Sequence, residues 1–395
     1  MTGVNTILPH TESEIADAVK TAFASETPLE VIGGGSKRGY GHDIAADQLG
    51  LQRFAGIMSY EPEEMIITVR CGTALEEIEI ALRAHHQCLA FEPANWSAIW
   101  NQDRKTATIG GTVAAAIAGP RRFASGAPRD HLLGFSGING KGEVFKAGGK
   151  VVKNVTGYDL PKLAAGSFGT LFVLAEMTLR AVPAARATMG VCIEGQEPEL
   201  AFATLRTLSR TPLEPTGLSY LPPPKAKAVL GANSALTLAR FEGGDEGVKA
   251  RASEAMRVCG TGARLMEQEK VILAYDALND VARLFGPATD LWRLSLPPTG
   301  AADAIASLSP MSFVADWAGG LLWLEMAQTY DPADLHGCAR KLGGHAHHVR
   351  RSSKHAEAKE IFPPMDPATH MITSRLKHAF DPARILNRDR MYRGV

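Results

Sequence analysis

Three groups of residues in this chain have the types and spacing that chemistry needs. The first is Gly33-Gly34-Gly35-Ser36-Lys37, directly after the short apolar run Leu29-Glu30-Val31-Ile32. Glycines that follow a strand leave main-chain N–H groups bare, and such amides beside a hydroxyl and a lysine can cradle phosphate oxygens. Two familiar phosphate loops fail in context. Gly33, Gly35 and Gly39 echo the dinucleotide fingerprint, but Gly39-Tyr40-Gly41-His42-Asp43 breaks the helix that fingerprint requires. Lys37 lacks the spacing of a Walker A lysine. The second group is the glycine-rich stretch 106–182, with Gly110-Gly111-Thr112, Gly157-Tyr158-Asp159 and Gly169-Thr170 separated by small residues such as Ala114, Ala115, Ala116 and Ala118. A broad, flat ligand can lie against such backbone, and a set of plain turns between strands is the alternative. The third is His345-Ala346-His347-His348. On a strand His345 and His347 would share a face and a metal site is conceivable, but no acidic companion is evident. The cluster runs into Arg350 and Arg351 and reads as a solvated loop, and no metal is assigned.

These groups need a scaffold. Thr11-Glu12-Ser13-Glu14 has the capping-box pattern and opens a helix whose apolar face is Ile15, Ala18, Val19 and Ala22. Met65-Ile66-Ile67-Thr68-Val69 reads as a buried strand, and a helix follows over 74–86. Phe91-Glu92-Pro93-Ala94-Asn95 is a rigid turn. Beyond Pro183 the texture changes to strands such as 235–241 and 321–325 beside helices near 199–210, 248–258 and 301–308, which predicts an α+β domain. A last helical piece begins near Ile372 and stops at Phe380-Asp381-Pro382. No internal repeat is visible. The expected boundaries are 1–183, 184–361 and 362–395.

A chain of 395 residues exceeds one ordinary core. Its 42 basic and 42 acidic residues cancel, which excludes a net basic field for nucleic acid or an anionic membrane. The five cysteines are scattered and never form a CxxC, which argues for a reducing compartment and against an iron–sulfur cluster. Neither a secretory signal nor a bilayer-length apolar run is visible, so a soluble, cytoplasmic protein is expected, reaching the inner face of the membrane only through partners.

The ordered set IGGTVA, GAPRDHLLG, KNVTGYDLPKL and GSFGTLFVLAEMTL resembles the FAD-binding domain of the vanillyl-alcohol oxidase, or PCMH-type, flavoproteins. Within that superfamily the chain is similar to the FAD-binding E subunits of bacterial glycolate oxidases. The resemblance is strong over the first half and thin over the second. It implies an α+β fold: a two-subdomain PCMH-type FAD-binding domain followed by an α+β, ferredoxin-like cap. It also implies FAD as cofactor, a 2-hydroxy acid such as glycolate as substrate, and two partners, a sister FAD-binding subunit and an iron–sulfur subunit. A self-sufficient flavin-dependent 2-hydroxy-acid dehydrogenase and a flavin-free assembly subunit are the rival readings.

Residue by residue, the resemblance assigns Gly33, Gly34, Gly35, Ser36 and Lys37 to the FAD pyrophosphate loop. Gly110, Gly111 and Thr112 fall to the isoalloxazine or pyrophosphate region, Gly157 and Tyr158 to a turn beside the flavin (with Tyr158 equally a core aromatic), Pro93 to the cofactor site, and Gly169, Thr170 and Val173 to the adenine and ribose. The loop offers no His or Cys for covalent attachment, so non-covalent FAD is expected, with Cys71 and Cys88 as structural thiols. Asp130 either contacts the cofactor or organises its own turn. Arg121 and Arg122 pair with phosphate or carboxylate, or face solvent or a partner. The tail Phe380-Asp381-Pro382-Ala383-Arg384-Ile385-Leu386-Asn387 resembles the family's FDPxxxLNP close, with Arg388-Asp389 in place of proline-glycine; Asn387 is expected to reach the flavin.

Overall fold

The structure is a computed structural model and describes residues 4–100, 106–149, 158–358 and 360–395. The chain groups into two compact units. One comprises Met1–Ala118, Gly126–Pro183 and Met365–Val395; the other comprises Gly119–Ser125 and Ala184–Pro364.

In the first unit the capping pattern does what its residue types dictate. Thr11 caps the helix Glu12–Ser25 by accepting from the Glu14 amide at 3.2 Å, and Glu14 accepts in return from the His10 amide at 2.7 Å. Such a cap stabilises a helix by about 1 kcal/mol. Ile15, Ala16, Val19 and Ala22 form its buried face, and Glu26 ends it in the left-handed region at φ 52°. The helix lies in sequence between the strands Thr6–Ile7 and Leu29–Ile32. These flank Asp47–Gly50 in a three-stranded parallel sheet. The C-terminal tail returns to this sheet: the Leu29 amide donates to Ile385 O at 2.7 Å and the Asn387 amide to Leu29 O at 2.9 Å. A five-stranded antiparallel sheet completes the unit, in the order Ile57–Glu61, Ile66–Arg70, Phe172–Arg180, Leu132–Asn139, Val144–Gly148. Ile138, Val173 and Ala175 from this sheet share one core with Ile15, Val19 and Leu29. That core joins the two subdomains.

The second unit is built twice from one motif. Ala187–Glu194, Pro198–Ser209, Gly217–Leu221, Leu236–Gly243, Asp245–Cys259 and Ala263–Met266 run strand, helix, strand, strand, helix, strand, with an added helix, Pro223–Leu230, between the second and third strands. Asp290–Ser295, Ala301–Leu308, Ser312–Asp316, Leu321–Met326, Pro332–Lys341 and His345–Arg350 repeat that order. Each half has the ferredoxin-like strand arrangement, its first and third strands side by side. A bridge between Tyr220 and Ala315 fuses the halves into one eight-stranded antiparallel sheet. The four crossover helices cover one face, burying Phe202, Val248, Ala304 and Leu335 against Phe241, Trp292 and Leu324. An internal repeat therefore exists where none is visible in the residues. Gly119–Ser125, expected in the first domain, groups with this unit. Trp317 Nε1 donates to Gly119 O at 3.2 Å, and Arg121 makes two bonds to Glu242 at 2.8 and 2.6 Å.

Candidate functional site

The first unit contains a cavity where the glycine-rich segments converge. The strand Leu29–Ile32 delivers residues 33–37 to one wall. Gly110, Gly111, Ala114 and Ala115 form a second wall, Phe168 and Gly169 a third, and Asn387 and Arg390 close it from the tail. Close approach explains two of the glycines. A Cβ on Gly34 would sit 1.8 Å from Thr106 O, and one on Gly110 would sit 2.7 Å from Cys71 O.

The loop has the donor set of an anion cradle. Gly35 takes φ +81°, and the amides of Gly34, Gly35, Ser36 and Lys37 have no protein acceptor among the described residues. Lys37 Nζ donates to Ser36 Oγ at 3.0 Å and to Thr112 Oγ1 at 3.4 Å, and burial lowers its pKa to about 8. Bare amides, a positive-φ glycine and an ammonium fit a diphosphate, and the small-residue wall opposite leaves room for a ring. Thr112 is wholly buried, its hydroxyl turned to Lys37. Thr108 caps the short helix Ile109–Ala114 by accepting from the Gly111 amide at 3.3 Å.

The tail holds the loop from behind. Asn387 Oδ1 accepts from the Val31 amide at 2.7 Å while its Nδ2 donates to Phe168 O at 2.6 Å, which ties two cavity walls together. Arg390 donates to Arg38 O at 2.7 Å and to His42 O at 3.3 Å. Arg38 in turn grips Glu30 at 3.0 and 2.6 Å. Beneath them the buried Lys377 ammonium donates to Thr170 O at 2.6 Å, Asp381 Oδ2 at 2.8 Å and Leu386 O at 2.8 Å. Arg390, Arg38, Glu30, Phe168 and Lys377 were not singled out from the sequence. The departure from the family's proline-glycine at Arg388-Asp389 was the available signal for Arg390.

Other expected site residues lie outside the cavity lining. Thr170 Oγ1 donates to Ser167 O at 2.6 Å and Val173 packs in the core. Asp130 organises its turn, its Oδ2 accepting from the Ala127 amide at 2.8 Å. Tyr158 is 94% exposed, and Pro93 is half-buried away from the lining. Gly157 lies outside the described residues.

In the second unit, the histidine cluster is not a solvated loop. It forms the strand His345–Arg350. His348 is buried, stacked on Trp292 at 4.3 Å, and its Nε2 donates to Asp290 Oδ1 at 2.7 Å. Asp290 also accepts from the Ser352 amide at 2.9 Å, Ser352 Oγ at 2.6 Å and His355 Nδ1 at 3.0 Å. Burial raises this carboxyl's pKa, yet those bonds hold it well below the usual range. Arg121 meets Glu242, whose pKa burial raises and the Arg121 bonds and Arg240 charge bring down to about 2. Arg122 lies over the Trp317 ring at 4.3 Å. Among the described residues no group of three or more His, Cys, Asp or Glu could hold a metal, and no helix is long and apolar enough to cross a membrane.

An FAD binding domain family model matches residues 5–148. The chain is 34% identical over 381 residues to glycolate oxidase subunit GlcE of Escherichia coli strain K12, covering 96% of each chain. It is 28% identical over 215 residues to a D-lactate dehydrogenase of Anaerostipes hadrus, covering 53% of this chain and 42% of that one. Among solved structures, 4-ethylphenol oxidase from Gulosibacter chungangensis superposes with a TM-score of 0.72 at 16% identity, over 98% of this chain and 89% of that one. p-Cresol methylhydroxylase superposes with a TM-score of 0.70 at 14% identity, over 98% and 88%. These two share the fold, which is of the PCMH type. With a full-length relative at this identity and an FAD binding domain over its cradle, the chain belongs to the GlcE family of glycolate oxidase subunits and is an FAD-binding oxidoreductase.

Proposed function

We propose that this chain is the FAD-binding subunit of a glycolate oxidase (glycolate dehydrogenase) complex, which oxidises glycolate to glyoxylate and passes the electrons to an iron–sulfur subunit. The observation that carries the reading is the cradle of residues 34–37 facing the small-residue wall, in a chain that aligns with GlcE over 96% of its length. When bound, FAD supplies acceptance of a hydride from a 2-hydroxy acid and its release as single electrons. The chain's residues do the holding: the loop amides and Lys37 take the diphosphate, residues 110–115 the flat face of the ring, and Asn387 keeps the walls in register.

Covalent attachment through the thiol that lines the cavity is disfavoured. Burial and the Glu176 charge push Cys71 well above its ordinary pKa, and the thiolate is the reactive form. The split of the five cysteines, two in the first unit and three in the second, supports a cluster carried by a partner subunit, since a cluster takes four. The sister FAD-binding subunit and the iron–sulfur subunit supply what is missing, and any contact with the inner face of the membrane is theirs.

One observation favours the second reading, a self-sufficient 2-hydroxy-acid dehydrogenase. In the second unit Arg122 and Arg293 both lie against Trp317, at 4.3 and 5.2 Å, and His345 and His347 stand 5.3 Å apart on the adjoining strand. Burial and the Arg293 charge lower both imidazole pKa values, which keeps them neutral and able to accept a proton beside a carboxylate-binding guanidinium. Glycolate-dependent dye reduction separates the two. The complex reading expects slow turnover by the pure chain and recovery when both partner subunits are added. Full activity from the pure chain would establish the self-sufficient enzyme.

A further inference from the structure

The Lys37 ammonium lies in the cradle, and among the described residues its partners are two neutral hydroxyls, Ser36 Oγ at 3.0 Å and Thr112 Oγ1 at 3.4 Å. The ionisable groups around it are committed elsewhere. Glu30, the one carboxylate among the described cavity-lining residues, accepts both its close bonds from Arg38 and lies 3.6 Å from Arg390. Arg390, from the tail, donates to the carbonyls of Lys37, Arg38 and His42. Cys71, from the end of the strand Ile66–Arg70, is held as a neutral thiol. The short helix brings the Thr112 hydroxyl to Lys37, and the turn at Phe168 and Gly169 brings no ionisable side chain to the lining. Among the described residues, then, no carboxylate bonds this ammonium, and the four amides of its own loop have no acceptor. A desolvated ammonium in that position is stabilised by an incoming anion and destabilised without one.

Taking this cavity as the FAD site, we propose that the Lys37 ammonium is the counter-charge of the FAD diphosphate and that FAD retention is proton-linked, protonated Lys37 holding the cofactor and neutral Lys37 releasing it. The direction follows from the two end states. In the empty protein burial lowers the Lys37 pKa to about 8. Two phosphate charges at the ammonium raise it again, so above that pH the cofactor must bring a proton with it. Apparent affinity scales with the fraction of binding-competent protein. It is full at about pH 7, falls roughly tenfold per pH unit above 8, and is roughly 30-fold weaker at pH 9.5.

The test uses the full-length protein stripped of flavin, titrated with FAD by fluorescence quenching and by calorimetry in buffers of different ionisation enthalpy. The parent is expected to show the alkaline loss of affinity and, at about pH 9, to take up roughly 0.9 proton on binding. Lys37→Arg, charged throughout the range, keeps the affinity and loses the slope. Lys37→Met binds more weakly at about pH 7 and also loses the slope. Riboflavin, which has the ring but no phosphate, takes up no proton. An affinity for FAD that is flat from about pH 7 to 9.5 in the parent would overturn the proposal. So would a parent-like slope in Lys37→Met, or the same proton uptake with riboflavin, which would assign the ammonium to the ring. No FAD binding at any pH would refute the cavity as the flavin site and the proposal with it.

Discussion

Replacing Lys377 with methionine is expected to loosen the cavity from outside it. The Lys377 side chain is 2% exposed and that of Asp381 is fully buried. Methionine fills a similar volume but removes three donors at once. Asp381 would keep only the amides of Ile385 at 3.1 Å and Leu386 at 2.8 Å, and the carbonyls of Thr170 and Leu386 would lose their bonds at 2.6 and 2.8 Å. Stranding one member of a buried ion pair costs about 3–5 kcal/mol. The two carbonyls flank the elements that Asn387 joins, so part of this loss should appear at the cofactor. At least a tenfold weaker FAD affinity is expected, which is about 1.4 kcal/mol of the total. The assay is thermal unfolding with and without saturating FAD, because two units need not unfold together and the ligand-shifted transition identifies the first. Replacing both partners, Lys377→Met with Asp381→Leu, removes the stranded charge and should be less destabilising than Lys377→Met alone. A single variant within about 1 kcal/mol of the parent, or a double variant worse than the single, would refute this account of the tail.

Two further outcomes follow from particular geometries. Gly34→Val drives its Cβ into Thr106 O, 1.8 Å away, and should abolish FAD binding by moving the loop; Gly247→Ala, in the helix Asp245–Cys259 with nothing within 4 Å, should leave binding intact and gain about 0.5–1 kcal/mol, and equal loss of flavin in both would show general misfolding. The second unit should lose stability on acidification in two steps. Burial lowers the pKa of His348 (its bond to Asp290 opposing), so the unfolded chain takes the proton first as pH falls below about 6.5, and the low pKa of Asp290 removes a further contribution below about 4. Denaturant midpoints that stay flat or rise between about pH 7 and 5 would contradict the neutral, buried His348.

What could be read from the residues is what local chemistry decides. Thr11 and Glu14 announce a helix start because the cap bond spans three residues. The strand Leu29–Ile32 and its glycines announce a cradle because bare amides need no distant partner. What could not be read is what distant pairing decides. The duplicated motif of the second unit is carried by pattern alone: Phe202 and Val248 in one half play the parts of Ala304 and Leu335 in the other, with no shared residues to betray the repeat. Arg121 looked equally suited to a phosphate or a partner until Glu242, 121 positions away, claimed it. The histidines misled for a related reason. Polar side chains in succession suggest solvent, yet a strand sends His348 to the core side with Ala346 and leaves His345 and His347 on the other face, and only the buried Asp290 makes the inward one tolerable. The tail shows both sides of the rule. Its Phe380-Asp381-Pro382 signature is local and recognisable because Asp381 caps its own loop. Its use depends on Lys377 one turn earlier, and on Asn387 reaching Val31 and Phe168 across more than two hundred residues. The cofactor site is therefore legible as a loop, whereas the clamp that keeps the loop in place exists only after folding.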